Sequence, residues 1–114
     1  MTNKKKEIPE LTLEGLKIGA LVEYQPGAVV SRTLIDKAAG TVTLFAFAAG
    51  EGLSEHSAPF DALVQILEGR AEIRIGGKPF VLNAGELILM PADIPHAVTA
   101  LDRFKMQLIM IKSR

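Results

Sequence analysis

The chain has 114 residues and no cysteine, and its 13 basic side chains balance 13 acidic ones. That length is filled by one domain, and zero net charge supplies no positive field to gather nucleic acid or anionic lipid, so neither nucleic acid nor membrane is an expected partner. Without cysteine there are no disulfides, thiolate ligands or thiol nucleophiles, which agrees with a reducing, cytoplasmic setting.

The chain opens MTNKKKEIPEL, where Glu7, Pro9 and Glu10 follow the lysine cluster Lys4 to Lys6 and leave no apolar stretch of the kind a signal peptide needs. A solvated tail over residues 1–15, rather than a binding arm, is expected ahead of a single domain over 16–114. The longest apolar runs, such as Leu44 to Ala49, fall far short of the roughly 18 residues that suggest a membrane span.

From there the pattern is all-β. Short apolar or alternating segments predict strands near 18–24, 28–35, 41–48, 62–67, 71–75, 79–82, 86–90, 97–101 and 104–111. They are punctuated by Pro26-Gly27, Ala39-Gly40, Gly50 to Gly52, Gly69, Gly76-Gly77, Asn83 to Gly85 and Pro91 to Pro95. In TVTLFAFAA, Val42, Leu44 and Ala46 share one face while Phe45 and Phe47 occupy the other, so neither face reads as wet. With an apolar content of 48%, the expected cover is a second copy of the chain in a homodimer; the alternative is the N-terminal segment folding over the phenylalanines. Further along, AEIRIGGKPFVL alternates Ala71, Ile73 and Ile75 with Glu72 and Arg74 before a Gly-Gly turn, which predicts a hairpin with one buried face. Sequential hairpins without an internal repeat suit a small barrel or two-sheet jelly roll that hides most strand edges.

Two stretches carry a family resemblance. GEGLSEHSAPFDALVQILEG begins at Gly50, places a histidine at position 56 and closes on Gly69; GELILMPADIPHAVTA gives Gly85, Pro91 and His96. The chain resembles a small single-domain cupin, whose first motif runs glycine, five residues, His-x-His, three or four residues, glutamate, six residues, glycine. In that frame Ala58 stands where the family has its second histidine and Ala62 where it has its glutamate. In the second motif Asp93 replaces a glycine and Ala100 an asparagine. The resemblance implies a cupin-type β-barrel, the double-stranded β-helix or jelly roll. It also implies a divalent metal, commonly iron, manganese, nickel, copper or zinc, held by the motif histidines and glutamate.

Only His56 and His96 survive at those ligand positions, and they are the chain's only two histidines. Two imidazoles make a weak site, because first-row metals normally take three or four side-chain donors. Asp61 is the candidate third metal ligand, and it needs a bulge at Pro59-Phe60 to turn inward, since strand alternation points it away from the face of Ala62. Glu51 and Glu55 are expected to be solvated, Met90, Met106 and Met110 to fill core gaps or offer thioethers to copper(I), and Gln107 is an undecided wall residue. The two alanines predict a wider, more apolar pocket unless Phe60 or a methionine fills it.

The expected function is binding of a small molecule, a weakly held divalent metal on the two histidines, or both. The alternatives are a two-histidine, one-carboxylate dioxygenase or isomerase, a metal-free epimerase-like enzyme with a histidine base, and a dimer platform without catalysis.

Overall fold

The computed structural model describes residues 15–112. After a short 3-10 turn at Ile18–Ala20 come nine strands: β1 Val29–Lys37, β2 Gly40–Phe47, β3 Gly52–His56, β4 Asp61–Glu68, β5 Arg70–Ile75, β6 Lys78–Asn83, β7 Leu87–Met90, β8 His96–Ala100 and β9 Phe104–Ile111. They form two antiparallel sheets, one in the order β1-β2-β9-β4-β7 and one in the order β3-β8-β5-β6, the all-β two-sheet jelly roll expected. The tail expected over 1–15, with Lys4 to Lys6, lies outside the described residues except for Gly15.

Alternation sets the layers. On β4 Ala62, Val64 and Ile66 are buried between the sheets while Leu63, Gln65 and Leu67 face outward. Phe47 stacks on Phe104 with ring centroids 4.5 Å apart and planes within 9°. Removing each such ring from water contributes about 1.5–3 kcal/mol.

Two strand expectations differ from the structure. Residues 18–24 form no strand; their apolar side chains lie across the outer face of the five-stranded sheet, where Val22 buries itself with Leu44 and Ala46. A run that caps a sheet shows the same density of apolar residues as one within it. Conversely β3 carries a single apolar residue, Leu53, because it is the edge strand of its sheet and mostly exposed.

Both faces of β2 are therefore covered in part from within the chain. The N-terminal segment covers Leu44 and Ala46, whereas Phe45 and Phe47 point into the barrel. A polar clamp holds that segment down. The Tyr24 hydroxyl donates to Glu68 Oε1 at 2.7 Å, Lys105 Nζ donates to the Gly19 carbonyl at 2.6 Å, and Arg103 lies 4.7 Å from the Tyr24 ring centroid. Burial and the Glu68 carboxylate push the Tyr24 phenol well above its ordinary range, and the same hydrogen bond holds Glu68 below its own.

Gly69, the closing glycine of the first motif, has φ +81, and a Cβ there meets the Arg103 carbonyl and Phe104 Cα, the latter at 2.7 Å. Gly77 has nearly the same φ, +82, with open space around it. Gly77→Ala is thus expected to cost only the backbone term, about 1–2 kcal/mol, and Gly69→Ala at least about 2 kcal/mol more because it also displaces β9. Urea denaturation of the two variants checks this; equal losses contradict the steric reading.

Candidate functional site

β3 and β8 pair so that His56 stands directly opposite His96. Leu53 pairs with Val98 and His56 with His96, so β3 spends three residues where β8 spends two. That extra residue is a bulge, and it decides the site. Plain alternation from the inward-facing Leu53 turns position 56 away from the cavity, and the bulge returns its ring to the cavity wall, where His56 remains exposed while His96 is buried. On β8, His96, Val98 and Ala100 alternate inward without interruption.

The two imidazoles meet edge to face, with centroids 4.4 Å apart and planes at 70°. His56 Nδ1 is 2.8 Å from the Ser54 carbonyl oxygen and His96 Nδ1 is 3.2 Å from that of Ile94. A carbonyl only accepts, so in each ring Nδ1 is the protonated nitrogen and the neutral ring carries its lone pair on Nε2. The two Nε2 atoms are 3.2 Å apart. Two lone pairs at that distance repel unless a proton or a metal ion lies between them.

Around the pair is a cavity of about 50 Å³, lined by both histidines, by Ala58 and Ala62, and by Phe60, Met90, Met106 and Met110 among apolar neighbours. The space opened by the two alanines is filled from the side by Phe60 and the methionines, so the pocket is apolar but not wide. Methionine is suited to such filling because its thioether chain adapts to irregular gaps.

The other sequence candidates lie elsewhere. Asp61 starts β4 one residue before the inward-facing Ala62, and alternation holds: its Oδ1 accepts from the Ala92 backbone N–H at 2.9 Å, outside the cavity lining. The inward turn at Pro59-Phe60 that a third ligand needs is absent. Asp61 is a staple instead, and with the Asp93 N–H to Ala58 carbonyl bond of 2.7 Å it ties the loop before His96 to the β3–β4 connection. Asp93, in the motif's glycine position, has φ +68, a left-handed conformation that aspartate tolerates better than most residues. Glu51 and Glu55 do not line the cavity. Gln107 faces outward and donates from Nε2 to Gln65 Oε1 at 3.2 Å. Among the described residues no three His, Cys, Asp or Glu side chains cluster as a metal site.

Residues 43–112 match the family model for the Cupin domain. Among solved structures, a conserved protein of unknown function from Streptococcus pyogenes is 35% identical, with 90% of each chain covered and a TM-score of 0.86. A cupin 2 conserved barrel domain protein from Leptotrichia buccalis is 44% identical over 82% of this chain and 46% of its own, with a TM-score of 0.80. Among curated proteins, polyketide synthase CurC of Streptomyces cyaneus is 38% identical over 48 residues, which is 41% of this chain and 31% of that protein. The match thus spans under a third of the curated relative's length.

Burial holds the His96 pKa below its ordinary value of 6.5, with the neighbouring His56 acting in the same direction and the bond to the Ile94 carbonyl opposing both. Between that lowered value and 6.5 the unfolded chain binds more protons at this residue than the folded one, so His96's contribution to stability is complete above pH 6.5 and declines below it. In chelator-treated protein, Tm is expected to fall from pH 7.5 to 5.5 by more in the native chain than in the His96→Gln variant. Parallel pH profiles contradict this.

Proposed function

The chain belongs to the cupin family, and on that premise we propose that it is a small barrel protein that holds a metal ion weakly between His56 and His96, leaving the other coordination positions to water or a small ligand. The observation that carries this reading is the approach of the two Nε2 atoms to 3.2 Å, with each Nδ1 within hydrogen-bond distance of a backbone carbonyl on the far side of its ring. Two nitrogens on one first-row ion, each at about 2.0–2.1 Å, stand roughly 2.9–3.4 Å apart in cis or tetrahedral arrangements. The histidines fit that spacing without rearrangement. Carbonyl bonds to the distal nitrogens are also the usual way of orienting metal-bound imidazoles.

Such an ion supplies a Lewis-acid centre with open positions. The chain contributes orientation through the Ser54 and Ile94 carbonyls and an apolar wall of Phe60 and methionines, with His96 buried and His56 on the exposed side of the pocket. A cavity of about 50 Å³ leaves room for the ion with one or two waters, or a ligand of a few heavy atoms, rather than a sugar-sized substrate. The two-histidine, one-carboxylate and carboxylate-oriented-base alternatives are less well supported, because Asp61 lies on the Ala92 backbone and both Nδ1 atoms bond carbonyls.

Binding is tested on protein purified without a polyhistidine tag, by the rise in Tm on adding Mn(II), Fe(II), Ni(II), Zn(II) or copper ions. At least one ion is expected to stabilise the native chain, and His56→Ala and His96→Ala to lose the effect. Asp61→Asn, which keeps an oxygen for the Ala92 N–H, is expected to bind as the native chain does. No stabilisation by any ion contradicts the proposal, and loss of binding in Asp61→Asn restores a carboxylate ligand.

A further inference from the structure

Resting on the reading that a cation sits at the histidine pair, we infer that the site is built for a soft monovalent ion, copper(I), rather than for the harder divalent ions. Ala62, in the family's glutamate position, is flanked in register by Met90 on β7 and Met110 on β9, all three facing the cavity. Met106, also inward on β9, lines the same space. No residue of the lining has an oxygen-bearing side chain, so its side-chain donors are two imidazole nitrogens and three thioether sulfurs.

That donor set discriminates on two physical grounds. Thioether and imidazole are soft to borderline ligands that suit copper(I), whereas manganese and magnesium need oxygen. The set is also neutral and its surroundings apolar, so no anionic ligand offsets the cost of desolvating the ion. This cost scales with the square of the charge, and a monovalent ion pays about a quarter of the divalent penalty at equal radius. Alanine in place of the motif's carboxylate, with a methionine on either side of it, thus favours a soft ion over a hard one.

The test is competition of the untagged chain with chromophoric chelators for copper(I), under reductant, and for silver(I), zinc(II) and manganese(II). Copper(I) and silver(I) are expected to bind at least 100-fold more tightly than zinc(II) or manganese(II). The Met90→Leu/Met110→Leu double variant, close to volume-conserving, is expected to lose at least tenfold for copper(I) with less than a twofold change for zinc(II). X-ray absorption at the copper edge is expected to show a sulfur shell in the native chain that weakens in the variant. Zinc(II) binding as tight as copper(I), or a copper shell of nitrogen and oxygen alone, overturns this inference and leaves the cation at the histidine pair standing. Failure of every ion to bind overturns both.

Discussion

Everything distinctive about this site follows from two imidazoles set opposite each other in one β ladder, each with its Nδ1–H committed to a backbone carbonyl. The carbonyls remove the freedom to rotate or change tautomer, so two acceptor lone pairs are driven together at 3.2 Å. Only His96 of the pair is buried, and leaving its Nε2 facing another acceptor rather than a donor costs about 1–3 kcal/mol. The bulge between Leu53 and His56 is what imposes this contact, because an unbulged β3 directs the His56 ring away from the cavity and leaves His96 alone. The opposing rings place the cavity on the chemistry, and the staple from Asp61 to Ala92 holds the loop that delivers His96.

The rest of the interior is arranged around the absence of two ligands. Replacing histidine and glutamate by Ala58 and Ala62 opens space between the sheets, and close packing closes most of it with Phe60, Met90 and Met110. Where the motif resemblance implies charge and oxygen, this pocket is neutral, lined by three methionines, and small. This one change underlies both the weak binding and the soft-ion preference proposed for the pocket.

Much of the fold was legible because β structure writes itself as alternation. Eight of the nine strands coincide with predicted segments, and the motif glycines fell where positive φ or backbone crowding excludes a side chain, as at Gly69. The illegible parts share a cause: each depends on what lies across the chain rather than along it. Residues 18–24 read as a strand because a cap and a strand bury similar side chains, and β3 shows no apolar period because it is a short, mostly exposed edge strand whose single apolar residue, Leu53, is followed by a bulge. The histidines were found from motif spacing, but their mutual orientation required the bulge. Asp61 was a candidate on proximity alone, and it obeys the alternation that argued against it. Gln107 shows the same limit, since the parity of β9 is set by its pairing with β4.

The central claim is that both histidines present Nε2 lone pairs to a common point, and long-range proton–nitrogen NMR on the metal-free chain at pH 8.5 tests it most directly. The account predicts that His56 and His96 both carry their ring proton on Nδ1, and that one added equivalent of a bound metal ion shifts both Nε2 resonances while leaving the Nδ1 protons in place. An Nε2–H tautomer on either ring, or a shift confined to one of them, contradicts the account.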